Sequence, residues 1–157
     1  MGIDPGLINT GFGIVSFTNN KVRTLDFGVI APSVSDDLSI RLSTIYRDVC
    51  TVIETHKPDC VSIEEVFYSN NVKTTMKLGQ ARGAVLIAAA QSKIKIFEYS
   101  ARKIKLSLTG NGNSHKDQVR YMVENKLNLN LKSQKTDASD ALAAALCHQQ
   151  QFRSFEI

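Results

Sequence analysis

The chain has 157 residues, of which 43% are hydrophobic and 22% are charged, with nine glycines and three prolines. This length suits one domain with its own core, and the composition excludes disordered and fibrous proteins. The longest apolar run, residues 84–90, is too short to cross a membrane, and the chain begins without a signal-peptide pattern. Three widely spaced cysteines are typical of reduced thiols. We therefore expect a cytoplasmic protein with no membrane partner.

The first predicted elements are strands. A short strand over residues 1–4 must turn at Pro5-Gly6. Residues 11–17 and 22–30 are rich in β-branched and aromatic side chains, and the Asn19-Asn20 pair between them is typical of a hairpin turn.

The rest of the chain is predicted to alternate between helices and strands. In order, the segments are a helix from residues 35–37 to about residue 57, a strand over 59–66, a polar loop over 68–74, a helix over 75–92, a strand over 95–99, and helices that begin at Ser100, Ser114 and Asp137. Such alternation after three opening strands predicts an α/β fold, a mixed sheet with helices on both faces. We expect one domain over residues 1–157, with a disordered tail from about residue 150.

Charge is unevenly distributed along the chain. The net charge is −4 over residues 1–72, +10 over residues 73–135 and −2 over residues 136–157. A positive field over one face suits a polyanion such as nucleic acid, although solvated helix faces would give the same pattern.

Four carboxylates have positions that indicate a site. Asp4 ends the first strand, and Glu64 lies near the end of a strand that otherwise reads as buried. If these strands are neighbours the two acids converge, and strand alternation lets only one of Glu64 and Glu65 share the face of Asp4. Asp137 and Asp140 lie three residues apart at a helix start, where they share a face or simply cap the helix.

Carboxylates without matching basic neighbours would repel one another. Hard divalent cations such as Mg²⁺ relieve this repulsion, because they prefer oxygen ligands and also bind phosphate oxygens. Two such ions would activate a water and stabilise the leaving oxygen in phosphodiester hydrolysis.

Four sequence blocks, taken in order, resemble the RuvC family of bacterial Holliday junction resolvases. They are Gly2-Ile3-Asp4-Pro5-Gly6 with Thr10-Gly11, Ile63-Glu64-Glu65-Val66-Phe67, Lys77-Leu78-Gly79-Gln80-Ala81-Arg82-Gly83, and Asp137-Ala138-Ser139-Asp140-Ala141-Leu142-Ala143. The resemblance implies an RNase H-like fold with a mixed five-stranded sheet. It also implies a homodimeric nuclease that cuts four-way DNA junctions by paired nicks in recombination and repair, leaving 5′-phosphate and 3′-hydroxyl ends.

The resemblance also implies roles for individual residues. The metal ligands would be Asp4, Glu64, Asp137 and Asp140, holding two Mg²⁺ ions, with Mn²⁺ able to substitute. Lys105 and Lys116 match lysines near the scissile phosphate; otherwise they are solvated helix-face lysines.

Further residues are expected to contact DNA, and other proteins are implied as partners. The expected DNA contacts are Phe67, which would otherwise be a core aromatic, and Asn70, Asn71 and Lys73 of the polar loop. Small residues in the helix over 75–92 suit the family's dimer interface, or else packing within one chain. RuvA and RuvB are partners implied by the family alone.

Two other functions are open at this point. Family members usually carry a few more residues before the first block, so we expect a short first strand that could misplace Asp4 and leave a junction-binding protein with impaired catalysis. An actin-like phosphotransferase is the other alternative, although its second phosphate loop is missing. Arg82 is expected to lie at the dimer interface or to face DNA, with the choice open. His115 and His148 would assist proton transfer or lie on the surface, and a surface position is expected for both.

Overall fold

The computed structural model describes residues 1–65, 71–131 and 136–153, without the side chain of Arg153. Within these ranges the chain forms five strands and five helices, which follow one another as β1 (Gly2–Asp4), β2 (Thr10–Thr18), β3 (Lys21–Ile30), α1 (Leu38–His56), β4 (Cys60–Glu64), α2 (Val72–Gln91), β5 (Lys95–Tyr99), α3 (Ala101–Thr109), α4 (Lys116–Leu127) and α5 (Thr136–Arg153).

The five strands form one sheet in the order β3-β2-β1-β4-β5. The opening three strands pair antiparallel, and β4 and β5 continue the sheet parallel to β1. The predicted mixed sheet is therefore confirmed. Its central strand is β1, so the residue at the end of β1 lies in the middle of the sheet.

Each face of the sheet carries a hydrophobic core, since successive strand residues point to opposite faces. Ile3 and Ile63 pack with residues of α1 and α2, including Ile45 and Val85. On the other face, Tyr99 of β5 belongs to a second cluster formed largely by α3, α4 and α5. Helices therefore cover both faces, as the alternation of elements predicts.

Most element boundaries agree with the predictions to within a few residues. Asn19 and Asn20 both have positive φ, at 52° and 62°, as a tight hairpin turn requires. The predicted loop over 68–74 is wrong at its end, because α2 begins at Val72 and Asn71 is its N-cap. Ser114 does not cap α4; His115 is the N-cap residue.

The C-terminal helix extends further than expected and buries one histidine. α5 continues to Arg153, past the residue near which we expected a disordered tail. His148 is 8% exposed, and its Nδ1 lies 2.7 Å from the hydroxyl of Tyr99. The surface position predicted for His148 is wrong, whereas His115 is exposed as expected.

The first strand is short but well held. β1 pairs with β2 on one side and with β4 on the other, and the ammonium group of Met1 donates a hydrogen bond to the Cys60 carbonyl at 3.0 Å. Asp4 is in register with Gly11. The displacement of Asp4 expected from a short strand is therefore not observed. In the part of the chain described, no helix is both long and apolar enough to cross a membrane.

Candidate active site

Two of the candidate acids lie on neighbouring strands. Parallel pairing sets Ile3 of β1 opposite Ile63 of β4, so the next position along each strand brings Asp4 beside Glu64. Because both isoleucines point toward α1 and α2, Asp4 and Glu64 point toward α5. Glu65, which is exposed, follows on the opposite side of the strand. This arrangement agrees with strand alternation, which allows only one of the two glutamates on the face of Asp4, and with the family resemblance, which implies that it is Glu64.

Two glycines allow α5 to lie directly on the sheet above these acids. A β-carbon at Gly11, which pairs with Asp4, would lie 2.0 Å from the carbonyl oxygen of Asp137. A β-carbon at Gly2 would lie 2.0 Å from the carbonyl oxygen of Ala141. Any larger residue would push the helix away. The first turn of α5, with Asp137 and Asp140, is thereby held against the end of β1.

The pKa of Asp4 is raised by burial and by the nearby acids. Burial, followed by repulsion from Asp140, Glu64 and Asp137, raises the pKa of Asp4 from its usual 3.8 to about 7, and Lys116 opposes the shift. Burial is also the main cause that raises the pKa of Glu64, with Asp140 adding repulsion. Burial and the neighbouring acids therefore make Asp4 and Glu64 harder to ionise.

Two lysines lie beside this acidic group. The Lys116 ammonium, in the first turn of α4, donates a hydrogen bond to Asp140 Oδ2 at 3.1 Å, and this ion pair is the main cause that raises the pKa of Lys116. Lys105 of α3 is half-buried and close enough to Glu64 to oppose the rise in that acid's pKa. All six predicted catalytic positions therefore lie in one neighbourhood.

The donor set suits a hard divalent cation. All four candidate ligands are carboxylates, and burial and mutual repulsion leave two of them with raised pKa values. A divalent cation relieves such repulsion and takes oxygen ligands. Within the described ranges, no three acidic, histidine or cysteine side chains are already gathered closely enough to hold a metal. The side chains of this group therefore fit the cation in chemistry but must close around it.

Of the four residues predicted to contact DNA outside the acidic site, two are described in the structure. Phe67 and Asn70 lie outside the described residues. Asn71 caps α2, with its side-chain oxygen accepting a hydrogen bond from the Thr74 amide at 3.1 Å, and Lys73 is exposed in the first turn of that helix. Asn71 therefore has a structural role that the sequence prediction did not include.

Sequence reasoning missed two features of this neighbourhood. It did not assign Gly2 and Gly11 to the approach of α5, although glycines inside strands often indicate close contact with another backbone. It also expected Arg82 at the dimer interface or facing DNA and did not include a contact within the chain. The Arg82 guanidinium, on α2, donates a hydrogen bond from Nη1 to the carbonyl oxygen of Glu64 at 2.7 Å.

Comparison with known proteins gives one consistent family. Residues 1–148 match the family model described as "Crossover junction endodeoxyribonuclease RuvC". The chain is similar to proteins of that name from Geotalea uraniireducens, with 45% identity over 94% of this chain and 86% of the relative, and from Legionella pneumophila, with 46% identity over 94% and 84%.

Solved structures agree with the sequence relatives. A Thermus thermophilus RuvC in complex with a Holliday junction substrate matches with a TM-score of 0.90 and 32% identity, over 98% of this chain and 93% of that chain. A yeast mitochondrial Holliday junction resolvase, Ydc2, shares the fold, with a TM-score of 0.65 and 16% identity, over 98% of this chain and 81% of that chain. These matches leave no role for the actin-like alternative, and the chain belongs to the RuvC family of crossover junction endodeoxyribonucleases.

Proposed function

We propose that this chain resolves four-way DNA junctions by paired nicks at the site formed by Asp4, Glu64, Asp137 and Asp140. The observation that carries the proposal is the convergence of acids from β1, β4 and α5, expressed in the repulsion that Asp140, Glu64 and Asp137 exert on Asp4. A site that gathers negative charge and has lysines at its border suits a metal-assisted reaction on a phosphodiester.

The four acids would hold the metal, for which we propose two Mg²⁺ ions with Mn²⁺ able to substitute. When bound, these ions would lower the pKa of the attacking water and offset charge on the departing 3′-oxygen. The products would be a 5′-phosphate and a 3′-hydroxyl. Asp4 and Glu64 contribute from the sheet, where pairing of β1 with β4 limits their movement. Asp137 and Asp140 contribute from α5.

Lys105 and Lys116 would act on the DNA phosphate. Lys116 is 78% exposed at its side chain, so its ammonium can move from Asp140 to a phosphate oxygen when DNA arrives. An ammonium is a compact charge that holds phosphate oxygens or offsets charge in the transition state. Lys105 approaches the same acids from α3 and would contact the same phosphate group.

The DNA surface would continue from the acids onto the start of α2. We propose contacts from Phe67, Asn70, Asn71 and Lys73, with Phe67 stacking on an opened base near the branch point. The basic segment over residues 73–135 would supply phosphate contacts, so that affinity falls steeply with salt.

The dimer that paired nicking needs would form through α2. One face of this helix packs on the chain's own core through four alanines and a valine, which are Ala81, Ala84, Val85, Ala88 and Ala89. Intrachain packing therefore explains these alanines. The opposite face carries residues at helical spacing that form an exposed apolar stripe, made of Val72, Met76, Gly79, Gly83 and Ile87.

The two glycines of this stripe favour a second copy of the chain as its occupant. Nothing lies within 4 Å of a β-carbon added at Gly79 or Gly83, so neither glycine is needed for packing within one chain. Small residues let two helices approach closely, and a twofold axis would bring this stripe against its own copy. Two acidic sites would then face opposing strands of a symmetric junction.

Residues 1–157 would form a single nuclease domain in the bacterial cytoplasm, working with the branch-migration proteins RuvA and RuvB in recombination and repair.

The test is cleavage of an end-labelled synthetic four-way junction, with and without Mg²⁺, beside a linear duplex of the same sequence. Symmetric nicks that require both the metal and the junction are expected. Binding of the junction without nicking would instead support the impaired binding protein. Equal binding and equal cleavage of the junction and the duplex would contradict the proposal.

A further inference from the structure

Arg82 connects α2 to the strand that carries Glu64. Its side chain is 11% exposed, which is low for an arginine, and its guanidinium has two acceptors. Nη1 donates to the main-chain carbonyl oxygen of Glu64 at 2.7 Å, and Nη2 pairs with the carboxylate of Glu98 on β5. The planar guanidinium can serve two acceptors at once, which a lysine cannot do in the same geometry.

The carbonyl of Glu64 needs this donor because of where β1 ends. The Ser62 amide donates to the Met1 carbonyl at 2.8 Å, which fixes the phase of the parallel ladder between β4 and β1. Continuing that ladder, the amide that would reach the Glu64 carbonyl belongs to Pro5. Proline has no N–H, so the ladder cannot supply this hydrogen bond.

The other side of β4 does not supply it either. The Glu65 amide donates to the Tyr99 carbonyl at 2.9 Å, so the next peptide group is held by β5. In a strand, the carbonyl of one residue and the amide of the next point in opposite directions. The Glu64 carbonyl therefore faces the β1 side, where Arg82 is, among the described residues, the donor that reaches it.

We propose that Arg82 is a positioning residue that fixes the Glu64 peptide, and through it the Glu64 carboxylate, in place of the hydrogen bond that Pro5 cannot donate. This role rests on the proposed function, in which Glu64 is a metal ligand. A partly buried carbonyl that loses its donor turns toward another partner, and rotation of that peptide moves the attached side chain. Glu98 holds the guanidinium but does not touch the Glu64 peptide.

Three variants separate this role from a general contribution to stability. Arg82→Met removes both donors but keeps the length of the side chain, Arg82→Lys keeps one charged donor, and Glu98→Gln removes the ion pair while leaving Arg82 able to bond the Glu64 carbonyl. For each, we would measure the carbonyl ¹³C chemical shift of Glu64 without metal, Mn²⁺ affinity by electron paramagnetic resonance without DNA, and Tm.

In Arg82→Met the Glu64 carbonyl shift should move, and Mn²⁺ affinity should fall by about 10–100-fold, as for other groups that orient a metal ligand. Arg82→Lys should recover part of this loss, and Glu98→Gln should lose much less than Arg82→Met. If Arg82→Met fails to fold, the Glu64 carbonyl shift and the Mn²⁺ affinity of Arg82→Lys are compared with those of Glu98→Gln instead.

Three results would overturn the inference: an unchanged Glu64 carbonyl shift in Arg82→Met, unchanged Mn²⁺ affinity despite a moved shift, or an equal loss in Glu98→Gln. Absence of Mn²⁺ binding in the wild type would contradict the proposed metal site itself. In that case the carbonyl shift, measured without metal, still decides whether Arg82 holds the Glu64 peptide.

Discussion

Gly11 of β2 and Asp137 of α5 are in contact through their main chains, so closely that a β-carbon at Gly11 would lie 2.0 Å from the Asp137 carbonyl oxygen. Gly11 also pairs with Asp4 across the sheet. Gly11, which has no side chain, therefore lies between Asp4 of the central strand β1 and Asp137 of the last helix α5. The spacing of the two acids depends on this contact.

Replacing Gly11 with alanine should therefore damage both stability and the site. The methyl group meets main-chain atoms that cannot rotate away, so we expect Gly11→Ala to cost at least the ~3 kcal/mol at the upper end of core overpacking. Mn²⁺ affinity should fall as well, because α5 must move. Chemical denaturation and a Mn²⁺ titration measure the two effects.

Gly28→Ala is the matched control for Gly11→Ala. A β-carbon there would lie 3.0 Å from ring atoms of Phe12, which can shift. A smaller loss of stability and an intact metal site are expected. Equal effects of the two substitutions on Mn²⁺ affinity would contradict the role of Gly11.

Asp4 should make the metal-free protein less stable as the pH rises. Its pKa is raised from 3.8 to about 7 in the folded chain. Between these values the unfolded chain loses the proton more readily than the folded chain, so ionisation favours unfolding. The cost is absent below about pH 4 and complete above about pH 7. Asp4→Asn removes it, so its Tm should exceed that of the wild type by more at pH 8 than at pH 5.

The same proton competes with metal. Affinity of the wild type for Mn²⁺ should increase with pH up to about 7 and then level off, since Asp4 must ionise to act as a ligand.

A Tm difference between Asp4→Asn and wild type that does not change between pH 5 and pH 8 would show that Asp4 has an ordinary pKa.

Asp137→Asn should abolish nicking while leaving junction binding intact. The substitution keeps the size of the side chain but removes the negative charge with which this carboxylate would hold the cation. Binding is measured by fluorescence anisotropy in EDTA, and cleavage with Mg²⁺. Asp48→Asn, on α1 beside Arg47 with its side chain 40% exposed, is the control and should change neither. Loss of both properties in Asp137→Asn would indicate a structural role.

Lys116→Gln should reduce the cleavage rate without weakening metal binding. Loss of one group that stabilises transition-state charge costs on the order of 100-fold in kcat. Because the Lys116 ammonium lies 3.1 Å from Asp140, it competes with a cation for that carboxylate, and metal affinity should stay the same or increase. Lys126→Gln, in the last turn of α4, should cut normally. A fall in metal affinity in Lys116→Gln would contradict this division of roles.

Gly83→Gln should weaken the dimer without destabilising the single chain. A side chain at this position meets nothing within 4 Å in one chain, and replacing a helical glycine gains up to about 1 kcal/mol of helix propensity. Sedimentation at several concentrations should show dissociation at higher protein concentration than for wild type. Thr74→Gln, exposed on the opposite side of α2 from the stripe, is the control and should leave the dimer unchanged. An unchanged dimer in Gly83→Gln would place the interface elsewhere.

Strand alternation was sufficient to predict part of this site from the sequence. It allows only one of Glu64 and Glu65 to share the face of Asp4, while the family resemblance chose Glu64, and the i, i+3 spacing sets Asp137 and Asp140 on one helix face, where the structure has them beside Asp4. Both inferences depend only on local geometry, which a sequence expresses directly.

Contacts between elements distant in the sequence were not predictable in this way. The hydrogen bond from Arg82 to the Glu64 carbonyl depends on the phase of the ladder between β1 and β4, which a sequence without its pairing does not specify. The burial of His148 depends on Tyr99, 49 residues earlier. The start of α2 at Val72 depends on the cap formed by Asn71, which in sequence looks like any polar loop residue.

The contacts of Gly2 and Gly11 with α5 have a consequence for how this protein can change. Because main-chain atoms set how near α5 lies to the sheet at these two positions, we expect the separation of its acids from Asp4 to depend little on the size of side chains deeper in the core. Substitutions at residues such as Val123 or Leu131 can therefore alter the free energy of unfolding while the arrangement of acids persists. Thermal tolerance and catalytic geometry can then evolve independently, provided that positions 2 and 11 stay glycine.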